Sequence, residues 1–157
     1  MRRFYKLRNH RSVGVTLPEL LVVVSIIGLA VTIAIPVITE AVRSARVHTA
    51  THQFNVSLMA ARMLAVTRQA PVDFRVAVDP ENYFEYADRN GRLRRYEMPQ
   101  GVMIAASTDP ITFRADGSVE GGASATIEAA LGRGASERWE IEVNILGITT
   151  VTHRREQ

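Results

Sequence analysis

The 157-residue chain is 46% hydrophobic and 22% charged, a length that fits one domain with a modest core and excludes two large ones. Five of its 19 Lys+Arg residues (Arg2, Arg3, Lys6, Arg8 and Arg11) precede Val15, so the other 14 face all 16 Asp+Glu, and the net charge of +3 describes a basic leader rather than a basic domain. The absence of cysteine removes disulfide scaffolds, Cys-ligated zinc, iron–sulfur clusters and thiol catalysis.

Residues 20–38, LLVVVSIIGLAVTIAIPVI, carry no charge and are close to the roughly 20 residues that cross a bilayer core as a helix. Basic residues precede this run and mixed charge follows it, so the positive-inside rule predicts a cytoplasmic N-terminus and an external body. An ordinary secretory signal, cut after Thr32 and Ala34 at the −3 and −1 positions, competes with an anchor and with processing before the run. The secretory reading leaves Glu19, at the start of the apolar run, unexplained. Thr16-Leu17-Pro18-Glu19 fits a capping box, with proline in the first turn where its missing N–H costs nothing. A carboxylate at the edge of hydrocarbon is nevertheless expensive unless paired, which points to a cation on a neighbouring subunit.

Gly14-Val15-Thr16-Leu17-Pro18-Glu19 followed by Leu20 to Leu29 resembles the start of type IV prepilins: a basic leader, a glycine, then Thr-Leu-x-Glu-Leu opening a long apolar helix, with proline at 36. Val15 stands where the family usually has phenylalanine, and Pro18 where it more often has an aliphatic residue. The resemblance implies that a membrane-embedded prepilin peptidase cuts between Gly14 and Val15 and that the new amino group of Val15 is methylated. It implies also that Glu19 neutralises the N-terminal amine of an adjacent subunit during filament assembly. The expected organisation is a cytoplasmic leader peptide (1–14), a transmembrane part of the helix (15–38), an amphipathic part (39–70) and a periplasmic β-rich domain (71–157).

Beyond Pro36 the apolar period of three to four continues through Ile38, Val42, Ala45, Phe54, Leu58, Ala61 and Ala65, which predicts one helix from 16 to about 69, kinked near Pro36. His48 and His52, one turn apart, have no third ligand nearby and read as a solvated face, so no metal is expected. From Val72 the period becomes 2. Strands are predicted at 72–78, at 83–86 and 93–97 around Asp88-Arg89-Asn90-Gly91, then at 102–105, 111–114, 125–129, 139–145 and 148–153. The fold class is therefore α+β, a long helix packed on antiparallel sheets.

Ile111-Thr112-Phe113-Arg114-Ala115-Asp116-Gly117-Ser118, the pair Gly121-Gly122, and two closing strands from Trp139 resemble the GspH/FimT class of minor pilins and pseudopilins. That resemblance implies a structural subunit of the type II secretion pseudopilus, held in the inner membrane. Its implied partners are other pseudopilins at a hetero-oligomeric filament tip, the prepilin peptidase, inner-membrane lipid and secreted cargo. The alternative is a FimT-like minor pilin of a type IV pilus, either in a role without DNA or with DNA capture for uptake. Arg89, Arg92, Arg94 and Arg95 on the hairpin, and His153, Arg154 and Arg155, would then meet phosphates. Residues 41–157 carry no net charge to favour DNA. No phosphate loop, H-E-x-x-H or G-x-S-x-G occurs, so no cofactor is expected, and a membrane-anchored enzyme is the least supported class.

Overall fold

The computed structural model describes residues 14–78, 80–130 and 135–156; the basic leader, residues 1–13, lies outside them. Among the described residues one helix, α1 (Leu17–Arg68), is followed by eight strands: β1 (Val72–Ala77), β2 (Tyr83–Ala87), β3 (Leu93–Glu97), β4 (Met103–Ala106), β5 (Ile111–Phe113), β6 (Ala123–Ala130), β7 (Ser136–Val143) and β8 (Thr149–Glu156). They form two antiparallel sheets, with orders β3-β2-β1-β5 and β4-β6-β7-β8. The α+β expectation is met.

The chain divides into two compact units between Val37 and Ile38, immediately after Pro36. In the first, every described side chain is exposed, and the Ser25 and Thr32 hydroxyls donate to the Leu21 and Gly28 carbonyls one turn back (2.8 and 2.9 Å). Hydroxyls that bond their own helix leave no polar group unmet in an apolar solvent. Thr16 caps the helix through its carbonyl, which accepts from the Leu20 N–H at 3.1 Å. That is the first helical bond; neither capping-box bond, from the Glu19 N–H to the Thr16 hydroxyl or from the Thr16 N–H to the Glu19 carboxylate, is formed, and Glu19 has no partner among the described residues.

In the second unit the α1 residues Val47, Ala50, Phe54, Leu58, Ala61 and Ala65 are buried in one cluster with residues from both sheets. Spacings of three and four put them on one face. Phe54 meets Phe74 of β1 and Phe84 of β2 edge to face, at 5.2 and 5.1 Å between ring centroids. Ile127 of β6 and Ile141 of β7 supply the other wall of the same core. The predicted apolar stripe starts too early: Ile38, Val42 and Ala45 are exposed, because sheet residues cover the helix only from Val47.

The predicted last strands also shift. Alternation suggested a strand to Ile145, but Asn144-Ile145-Leu146-Gly147 is a turn, leaving Ile145 and Leu146 62% and 61% exposed. The Asn144 side-chain oxygen accepts from the Leu146 and Ile148 N–H groups (3.0 and 2.9 Å), an Asx arrangement that outcompetes strand continuation.

Asn82 ties the two sheets together. Its amide nitrogen donates to the Val102 carbonyl (2.6 Å), its amide oxygen accepts from the Ile104 N–H (3.1 Å), and its φ is 47°. Phe54→Ala is expected to lower stability by about 3–5 kcal/mol. Urea unfolding followed by fluorescence of Trp139, the one tryptophan, measures it.

Candidate functional site

Three groups of the described residues carry polar or charged chemistry. The first is the helix start. Gly14, Val15 and Thr16 precede α1 in non-helical backbone, and Glu19 lies in the first turn with its side chain exposed. A carboxylate there is favourably placed toward the helix N-terminal dipole, and it remains available to an outside cation.

The second group is the arginine-rich hairpin. Asp88 organises it: its side-chain oxygens accept from the Asn90 and Arg92 N–H groups (2.9 and 3.0 Å) and from the Arg94 guanidinium (3.2 Å). Partial desolvation pushes the Asp88 carboxyl up. The donors from Arg92, Asn90 and Arg94 outweigh it and hold the group below the ordinary carboxylate range. Arg95 donates to buried Glu85 (3.1 Å) and lies 3.8 Å over the Tyr83 ring. Sequence spacing missed Arg68, whose guanidinium donates to the carbonyls of Asp88 (2.6 Å) and Arg89. Arg68, Arg89, Arg92 and Arg94 thus converge at one end of the first sheet.

Arg154 and Arg155 do not join them. They lie on β8, an edge of the second sheet, whereas the hairpin forms an edge of the first. His48 packs edge-on to Trp139 (5.6 Å between centroids), and Trp139 stacks on His153 (4.3 Å). His153 and the Trp139 indole both bond the same oxygen of buried Glu137, at 3.0 and 3.3 Å. Among the described residues no group of three or more His, Cys, Asp or Glu could hold a metal ion.

The third group is a clasp made by Arg62 of α1. Its Nε donates to the Gly117 carbonyl and its Nη2 to the Leu146 carbonyl, both at 3.1 Å. One helix side chain therefore holds the Arg114-Ala115-Asp116-Gly117 turn and the Asn144 to Gly147 turn. Both turns have left-handed glycines, Gly117 at φ 82° and Gly147 at φ 71°. A Cβ on Gly147 would lie 2.0 Å from the Gly117 carbonyl oxygen, so only glycine lets the turns close. Asp116, held below the ordinary carboxylate range first by the Ser118 hydroxyl and then by the Ser118 N–H, stiffens the first turn.

The family described as Type II transport protein GspH matches residues 50–147, a span that contains the Arg62 clasp, both turns and the core stripe from Ala50. The chain belongs to the GspH family. No protein of curated function matches it significantly by sequence. Among solved structures, the type IV minor pilin FimU of Pseudomonas aeruginosa is similar with a TM-score of 0.56 at 15% identity, over 73% of this chain and 96% of that one. The minor pseudopilin EpsH from the type 2 secretion system of Vibrio cholerae gives 0.54 at 11% identity, over 68% and 96%. At these identities the likeness is one of fold. Within the GspH family match, Phe113 is buried and Asp116 and Gly117 form the clasped turn, which gives that motif a structural role.

Two outcomes are expected. Gly147→Ala lowers thermal stability by at least about 1 kcal/mol, because the left-handed φ and the carbonyl clash act together. Asp88, with a folded pKa below its unfolded one, stabilises the hairpin above the unfolded value near 3.8, and that stabilisation is lost as pH falls through the folded value. Asp88→Asn keeps an oxygen for the two N–H groups and should flatten the fall in thermal stability as pH drops below the ordinary carboxylate range.

Proposed function

We propose that this chain is a minor pseudopilin of a type II secretion pseudopilus, a structural subunit that acts by assembly and not by turnover. The observation that carries the reading is the GspH match to the body together with an exposed apolar helix that begins at a lone carboxylate. The helix is long and apolar enough to cross a membrane. In this reading residues 15–38 hold the subunit in the inner membrane, with the leader cytoplasmic and the body periplasmic. A prepilin peptidase cuts between Gly14 and Val15, and the Val15 amine is methylated. Glu19 then meets the amine of an adjacent subunit, where pairing two desolvated charges favours the correct register and misplacement leaves both unmet. Lack of a partner for Glu19 among the described residues supports this role. Other pseudopilins and secreted cargo are the partners of the body.

A second reading, a FimT-like minor pilin of a type IV pilus that captures DNA, is favoured by the convergence of Arg68 with the 89–94 arginines. Against it, Arg94 and Arg95 already pair with Asp88 and Glu85. If Arg92, Arg94, Arg95, Arg154 and Arg155 met phosphates, each contact would add about 0.9 to the salt slope of retention on duplex DNA. A salt-insensitive, negligible retention is expected.

The deciding measurement is intact mass and N-terminal peptide analysis of protein recovered from membranes of a host with a prepilin peptidase. A chain beginning at N-methylated Val15 is expected; a start near Ile35, or a retained Met1, overturns the reading. In the same host Glu19→Ala should be processed, leave the melting of the body unchanged and fail to enter filaments.

A further inference from the structure

The second sheet ends on β8, which pairs with β7 on one side only. Its residues 151–155 are all exposed. At the 144–147 turn the Asn144 N–H donates to the Ile148 carbonyl at 3.0 Å, so that pair is hydrogen-bonded. Antiparallel alternation then makes Val143↔Thr149, Ile141↔Val151 and Trp139↔His153 the non-bonded pairs. The N–H and C=O groups of Thr149, Val151, His153 and Arg155 therefore point to the open edge. Such an edge is a template for another strand.

The charges along β8 narrow the choice of strand. Along β8 stand His153, Arg154 and Arg155, with its one acid, Glu156, at the very end of the strand, so residues 149–155 are basic. Glu137 is taken by His153, and Glu128 by Arg138, the residue opposite Arg154. Arg154 and Arg155 form no ion pair among the described residues, and as neighbours on a strand they point to opposite faces. At the other end, the start of β8 opens on an apolar groove lined by Met59, Met63 and Ile148, with Arg62, Gly147 and Thr149. A second copy paired antiparallel along the whole strand would set Arg155 and Arg154 against Thr149 and Thr150 and leave their charge unanswered.

We propose that β8 is a docking edge for an extended segment of a partner protein, added antiparallel, with apolar side chains at the groove and two adjacent carboxylates opposite Arg154 and Arg155. The two carboxylates must be adjacent because each arginine lies on a different face of the sheet. This goes beyond the pseudopilin reading, since it concerns the edge of the folded body and requires neither processing nor a filament. Its failure and the failure of that reading are read out separately.

The probe is a fluorescent peptide as long as β8, 8 residues, alternating threonine and valine after two N-terminal glutamates, titrated against the full chain in detergent micelles. Saturable binding is expected. Val151→Pro removes an outward N–H and no β7 bond, and should weaken binding roughly tenfold with unchanged far-UV circular dichroism. The double variant Arg154→Glu/Arg155→Glu should lose the peptide and gain one carrying lysines in place of the glutamates. That charge swap tests the proposal even if Val151→Pro fails to fold. The proposal is overturned by no saturable binding, by a folded Val151→Pro variant that binds unchanged, or by a charge-swapped variant that ignores the lysine peptide. Association of the chain with itself in place of peptide binding overturns it as well, as does binding of an oligonucleotide through Arg154 and Arg155 without the peptide.

Discussion

Burial of a single stripe of α1, from Val47 to Ala65, is the constraint from which the folded body follows. Neither sheet has a core of its own. Phe74, Val76 and Phe84 of the first sheet, and Ile127, Ile141 and Val143 of the second, gather in one cluster around the helix stripe. Each strand is thereby assigned an inward face, because a one-residue slip would carry its apolar set into water. Ala50, Ala61 and Ala65 are buried on the stripe beside Phe54, which packs edge to face on the rings of Phe74 in β1 and Phe84 in β2. The helix is thus a structural member of the body as well as a membrane-length apolar segment.

A second layer of specificity is polar. The core stripe is non-directional, since apolar packing tolerates repacking within its volume. Arg62 is directional: two carbonyls from distant turns, Gly117 and Leu146, must be presented to one guanidinium at hydrogen-bond distance. Asn82 does the same at the junction of the sheets. The Phe-x-x-Asp-Gly stretch is therefore a device for closing the fold, in which Phe113 enters the core, Asp116 stiffens the turn and Gly117 admits the Arg62 side chain.

The same amino acid does opposite work at different places. Arg94 and Arg95 are held by carboxylates within the hairpin, and Arg62 and Arg68 by backbone carbonyls. Arg154 and Arg155 have no such partner among the described residues, on a strand whose edge is open. The molecule exposes a carboxylate at its helix start and an open strand at the edge of its second sheet. That arrangement suits a subunit that works by meeting other chains.

Periodicity in the sequence was sufficient for the helix from Leu17 to Arg68, the existence of all eight strands and the Asp88 to Gly91 hairpin, because these depend on local spacing and turn chemistry. An uncharged run long enough to cross a membrane was likewise legible, because it depends on composition alone. Errors arose where competition was local but subtle, as at Asn144, whose side chain stopped a strand that alternation would have continued to Ile145. Burial of the helix stripe only from Val47, the crossing of β4 and β5 between sheets, and the clasp by Arg62 were decided by tertiary structure. Arg62 lies 55 and 84 residues from the carbonyls it holds, and no local pattern encodes a contact made by chain reversal. The distinction between paired and unpaired arginines is of the same kind, since composition counts charges while only the fold sets which carboxylate each one meets.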